Sequence, residues 1–333
     1  MMVGHALLAF ALVALLGRAV GVDRERALLA GAVAGAFAAV PDADMVYAIV
    51  GVAHADFTGV FAVTNAFWSA STVVHRAMTH SLVVAPFAAV GFALWTVRGR
   101  WVHHARLAGT FLLGTLILVA TVKHGLLGFV VMGAFALMGV GVALAVWWRT
   151  ALRARETFAL ALFGLASHPW GDLFTGEPPA MLWPLDTVLF TDIVTLAPDP
   201  TLHLLGAFAL ELLTVWLAVW VVLDASNEFR PTFDVRALAG VAYGGVAFLI
   251  PPPTLDVSYH FVFSILAVGT VAAAPDVFRA RLLRSLRRLQ REWDAARLFS
   301  AFLTGLAAVT LALAAYAVLY SLATLGSLGV SLG

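Results

Sequence analysis

The chain has 333 residues, 62% of them hydrophobic and only 12% charged, with a mean hydropathy of +0.95 and a net charge of +1. A soluble domain carries about a quarter charged residues, so the composition argues against one and predicts an all-α, polytopic transmembrane helical bundle. The near-neutral charge gives no reason to expect a nucleic-acid partner. The absence of cysteine excludes disulfides, thiolate metal ligands and thiol nucleophiles.

Apolar segments fall at about 6–20, 27–40, 82–97, 107–122, 125–148, 157–168, 202–223, 237–251, 259–275 and 299–325, which predicts about ten membrane helices. The first is preceded by Met1-Met2-Val3-Gly4-His5 with no basic residue, unlike a secretory signal, and is expected to stay as the first helix. The second has about 14 apolar residues before Pro41, a rise of ~21 Å against a ~30 Å hydrocarbon core. Pro41 disfavours a helical conformation for Val40. The second helix is therefore expected to end there, with Asp42 and Asp44 on one side of an extended segment. The sixth segment is similarly short before His168. Between Arg279 and Leu298, Leu282, Leu286, Leu289 and Trp293 recur at helical spacing among arginines. That pattern suits a helix lying on anionic lipid at the inner surface, or equally a basic helical linker.

Every Lys and Arg except Arg76 and Lys123 falls in or beside the loops after the first, third, fifth, seventh and ninth segments. The positive-inside bias puts those loops in the cytoplasm and both termini outside a multi-pass cell-membrane protein. The opposite loops carry His5, Pro41-Asp42-Ala43-Asp44, His75 to Ser81 and His168 to Asp172. Carboxylates and imidazoles are costly near hydrocarbon and are kept where they act. Four sequence-distant clusters on one membrane face predict a shared metal site, set below the lipid headgroups and open to water from outside.

His5, Asp42, Asp44, His75, His80, His168 and Asp172 are the expected ligands, of types that suit zinc and admit manganese. His75 and His80 are about 140° apart on a continuous helix. His75 is therefore expected in the loop, with Thr79 or Ser81 capping the third helix and His80 in its first turn. His168 and Asp172 stack on one helical face, although Pro169 makes a regular helix uncertain; Asp172 could instead orient a ligating histidine. Arg76 offers a planar fork for a phosphate or carboxylate, or a salt bridge to Asp42 or Asp44. Glu211 lies eight residues below His203, about 12 Å deeper. It reads as a ligand, a base, a partner for Arg76 or a protonated structural group.

The order Gly4-His5, Pro41-Asp42-Ala43-Asp44, His75-Arg76-Ala77-Met78-Thr79-His80-Ser81, Ser167-His168 to Asp172 with Thr175, then Trp183-Pro184 resembles the YdjM-like family of membrane-bound metal-dependent hydrolases. The resemblance covers roughly residues 1–215. It implies a hydrolase-like domain there, leaving 216–333 as additional transmembrane helices with a cytoplasmic Arg-rich amphipathic segment at 276–298. The motif style is similar to that of zinc-dependent phospholipases C and related nucleases, which cleave phosphoesters. The family usually reads Pro-Asp-x-Asp-His, whereas Met45 stands in the last position here.

Three functions are expected to compete. The first is metal-dependent hydrolysis of a phosphoester, lipid-borne if the site is sunken, with Arg76 steadying the oxyanion and Glu211 moving a proton. The second is a metal-ion or proton transporter, which calls for a polar track continuing through the membrane. The third is a non-catalytic scaffold with a structural metal, which Met45 keeps open.

Overall fold

The computed structural model describes residues 3–55, 57–72, 76–225, 232–255, 258–286 and 291–330. Among them the fold is entirely helical, with no strand. Two compact units divide it: residues 1–194 with 214–225, and residues 195–213 with 226–333.

The first unit is built on α1 (Gly4–Ala19), α2 (Arg24–Ala38), α3 (Ala48–Ala53), α4 (Val60–Thr72), α5 (Val84–Trp95), α6 (Val102–Arg149) and α7 (Ala154–Asp172). Asp23 caps α2 by accepting the Arg26 N–H at 3.0 Å. α2 packs on both α1 and α7, and glycines set how closely. A Cβ on Gly35 would stand 2.6 Å from the Ala6 carbonyl oxygen, and one on Gly164 would collide with that of Ala34. α5 lies on α6 and α7. Their shared core contains Phe37, Phe92, Met132 and Phe135, each 1% exposed or less.

Several local expectations are corrected. The second helix does stop at Ala38, but Val40 keeps helical angles (φ −65°, ψ −38°) and leads into a 3-10 helix, Pro41–Tyr47. Proline heads that helix at a position where its missing N–H costs nothing. Asp42 and Asp44 are thus not on an extended strand. α3 and α4 occupy a stretch where no apolar segment was expected, because helices of six and 13 residues are too short to span. Segments 107–122 and 125–148 are two helices, as expected, joined at Gly125, whose φ of 61° and ψ of −144° are non-helical and suit glycine alone; α6 denotes the pair. His80 sits in a separate 3-10 turn, Met78–His80, rather than in the first turn of α5. α7 runs through Pro169 unbroken. Only the bond to the Leu165 carbonyl is forgone, and the proline φ fits a helix.

The second unit contains the first half of α8 (Pro200–Ala225), the 3-10 helix Val235–Phe248, α9 (Ser258–Leu286) and α10 (Arg291–Val330). The 3-10 helix and α9 pack on α10, around Phe261, Tyr243 and Tyr316. Of the Arg279–Leu298 segment, residues 287–290 and the side chains of 276–295 lie outside those described. Among the described residues, five helical stretches are long and apolar enough to cross a membrane: Arg24–Ala53, Val102–Arg149, Pro200–Ala225, Ser258–Pro275 and Ala296–Leu325. The chain is a helical membrane bundle.

Candidate metal centre

Four elements of the first unit carry polar side chains to one point. α1 brings His5, the 3-10 helix after α2 brings Asp42 and Asp44, the Met78–His80 turn brings His80, and the end of α7 brings His168 and Asp172. His5, Asp44, His80, His168 and Asp172 are all 4% exposed or less. Asp42 and Arg76 keep 12% of their side-chain surface and form the more open edge.

The hydrogen bonds behind the histidines decide which ring nitrogen carries the proton. His168 Nδ1 lies 2.6 Å from the Ala38 carbonyl oxygen. A carbonyl only accepts, so Nδ1 is the donor and Nε2 of the neutral ring presents a lone pair. Thr79 Oγ1 donates to Asp44 Oδ2 at 2.9 Å and meets His80 Nδ1 at 2.9 Å. Its single proton is spent on the carboxylate, so His80 Nδ1 must donate to it, and in the neutral ring His80 Nε2 would likewise present a lone pair.

These two nitrogens face one another at 3.0 Å. Asp172 Oδ2 lies 3.2 Å from His80 Nε2 and 3.6 Å from His168 Nε2, yet is buried without a hydrogen-bond partner. Its other oxygen is 3.2 Å from His5 Nε2. Asp42 Oδ1 stands 3.5 Å from His168 Nε2. Two ligands of a tetrahedral ion, each ~2.0–2.1 Å from it, are separated by ~3.3 Å, so the donor set fits a small divalent cation. It falls into two overlapping triads, His5–His168–Asp172 and Asp42–His80–His168. Charge agrees: the cluster gathers Asp42, Asp44 and Asp172, and Arg76 pairs with Asp172 at 3.6 Å, so its described members are richer in carboxylate than in guanidinium.

Arg76 is positioned elaborately. Its φ of 68° is the one positive value at a non-glycine residue among those described, a conformation costing roughly 1–2 kcal/mol. Its N–H donates to Asp44 Oδ2 at 3.3 Å and its carbonyl accepts from Ala180 N–H at 2.8 Å. The guanidinium donates to Thr175 Oγ1 at 2.8 Å and to the Glu177 carbonyl at 3.0 Å, and its Nη2 stands 3.6 Å from Asp172 Oδ1. The salt bridge weighed for it with Asp42 or Asp44 is thus made with Asp172. Nearby, Ser81 Oγ accepts the N–H groups of Val83 and Val84, an N-terminal cap for α5, and donates to the Trp183 carbonyl.

His5, Asp42, Asp44, His80, His168, Asp172 and Arg76 are therefore neighbours, while His75 lies outside the described residues. Asp42 and Asp44 reach different histidines, because residues two apart on a 3-10 helix point about 120° apart. Glu211 belongs to the second unit and is half-buried on α8. Two contributors were missed. The Ala38 carbonyl has no sequence signature at all. Thr79 was read as a cap, and only its place between the two histidine-turn residues and Pro41-Asp42-Ala43-Asp44 in space reveals it as the link from Asp44 to His80.

Fold and cluster together define a multi-pass helical membrane protein whose first unit encloses a histidine–aspartate centre. A family model described as YdjM inner membrane protein matches residues 1–229, and the chain belongs to that family. No curated protein and no solved structure matches it.

Proposed function

We propose that the chain is a membrane-bound, metal-dependent hydrolase acting on a phosphoester at the outer face of the membrane. The reading is carried by the convergence of His80 Nε2, His168 Nε2 and Asp172 Oδ2 within 3.0–3.6 Å of one another, a nitrogen and carboxylate-oxygen donor set at the spacing that a small divalent cation takes. His5, His80, His168, Asp42 and Asp172 would hold the ion or ions, with His75 and Asp44 as further donors. Nitrogen and carboxylate oxygen together favour zinc and admit manganese. When bound, such an ion supplies Lewis acidity and a nucleophilic water at neutral pH.

The chain's own groups do the rest. Asp172 orients His5, and the Ala38 carbonyl and Thr79 hold the other two rings so that each Nε2 faces inward. Arg76, tied back through Thr175 and Glu177, is suited to hold a phosphoryl oxygen and balance charge developing there. A shallow second helix and a largely buried centre favour a substrate delivered from the lipid phase, and the arginine bias supports an outward orientation.

Elemental analysis of the purified protein, with alanine at His80 or Asp172 and a panel of lipid and soluble phosphoesters, tests this. Metal in the wild type, its loss from both variants and hydrolysis dependent on it are expected. Undiminished metal in both variants overturns the reading. The burial of His5, His80, His168 and Asp172 to 4% or less also suits a closed structural metal. Stoichiometric metal without hydrolysis of any ester would select that scaffold reading.

A further inference from the structure

A second polar cluster lies at the other end of α5, twelve residues or ~18 Å of helix away from Ser81. Here the C-terminus of α5 meets both ends of the kinked α6. The Arg106 guanidinium carbon stands 4.6 Å from the Trp147 ring centre and 5.6 Å from that of Trp95, and that of Arg98 is 5.6 Å from Trp147. Arg98 also donates to the carbonyls of Trp147 and Thr150.

Two features of this cluster point outward to a ligand. First, it consists of donors only. Trp95 Nε1, Trp147 Nε1, Arg106 Nε and Arg106 Nη2 are buried without a hydrogen-bond partner among the described residues. Ring faces attract the guanidinium, but an indole N–H lies in its ring plane and gains nothing from that stacking. Buried donors left unanswered are costly. Second, no carboxylate pairs with Arg98 or Arg106 among the described residues. From Phe57 to Arg155 the sequence contains no Asp or Glu, yet it holds Arg98, Arg100, Arg106, Arg149, Arg153 and Arg155. Elsewhere in the same unit Arg18 pairs with Asp224 and Arg26 with Glu156. Among the described residues Arg98 and Arg106 have no such carboxylate.

We propose that this end binds the phosphate of an acidic phospholipid headgroup, held by Arg98 and Arg106 and framed by the indole N–H groups of Trp95 and Trp147. A phosphate supplies several acceptor oxygens and the missing negative charge, and planar guanidinium groups match it well. Lipid is the source because the cluster joins the two ends of α6, which is long and apolar enough to cross a membrane, and tryptophan and arginine are favoured where such helices end.

Full-length protein, delipidated in detergent, is titrated with phosphatidylglycerol, phosphatidylcholine or inorganic phosphate and followed by native mass spectrometry. Phosphatidylglycerol is expected to bind tightest. Arg106→Gln should weaken it about fivefold or more, while Arg18→Gln, which alters an arginine already paired with Asp224, leaves it unchanged. Equal affinity of Arg106→Gln and wild type overturns the proposal, as does equal binding of the two lipids. Displacement of phosphatidylglycerol by millimolar inorganic phosphate would assign the site to a soluble anion and overturn the lipid assignment. Should Arg106→Gln fail to fold, Trp95→Phe keeps the ring and deletes one N–H. Weakened phosphatidylglycerol binding in that variant supports the proposal, and unchanged binding counts against it.

Discussion

The two ends of the first unit are charged in opposite senses, and neither balances itself. At the histidine end, Asp42, Asp44 and Asp172 gather around three imidazoles beside one guanidinium. At the tryptophan end, arginines stack on indoles, and four buried donors lack an acceptor among the described residues. The apolar core between them, around Phe92 and Phe135, is conventional. An unbalanced polar cluster is expensive in a membrane chain, so its survival marks a place where the counter-charge comes from outside. We propose that one end takes a cation and the other an anion.

That contrast is broken most directly by Asp172→Ala. The carboxylate touches His5, His80, His168 and Arg76, so its removal should cost well over 100-fold in metal affinity and abolish hydrolysis, read by metal titration and activity. Thr79→Val severs the link from Asp44 to His80 without removing a donor to the ion. The expected loss is 10–100-fold in metal affinity, and a zinc titration of the variant decides it. An unchanged dissociation constant would mean that Thr79 merely packs.

Gly171→Ala sharpens the packing side of the comparison. A Cβ there would stand 2.5 Å from His5 Cε1 and 2.7 Å from its Nδ1, so the ring must shift. We expect destabilisation of about 1–3 kcal/mol in a melting experiment, together with weaker metal retention. The smallest effect concerns backbone strain. Arg76→Gly and Arg76→Ala both lose the guanidinium, but only glycine accepts a φ of 68° freely. The glycine variant should therefore be about 1 kcal/mol more stable than the alanine one, with both inactive. Equal stability would show that the conformation is not strained.

Much of the cluster was legible in the sequence because ionisable residues stand out against hydrocarbon. His5, Asp42, His80, His168 and Asp172 occur in separate short islands, and the alternation of arginine loops placed all the islands on one side. Local conformation was less legible. The stretch after Pro41 read as extended and is a 3-10 helix, Pro169 left open whether the helix continues through it, and α3 and α4 lacked the length that reveals a membrane segment. The tryptophan-end cluster escaped notice because Trp95, Arg106 and Trp147 are ordinary interfacial residues until the kink at Gly125 folds α6 back and brings its two ends together.

Composition and periodicity by themselves determined that the chain is a multi-pass helical membrane protein and which residue types its centre holds. Burial in lipid restricts backbone to helices and penalises stray charge, and both constraints act residue by residue. Tertiary structure alone decided the protonation pattern. Whether His168 presents its Nε2 lone pair depends on the Ala38 carbonyl, 130 residues away in the chain, and that of His80 on a threonine bonded to Asp44. Such partners are supplied by packing, and no local pattern encodes them.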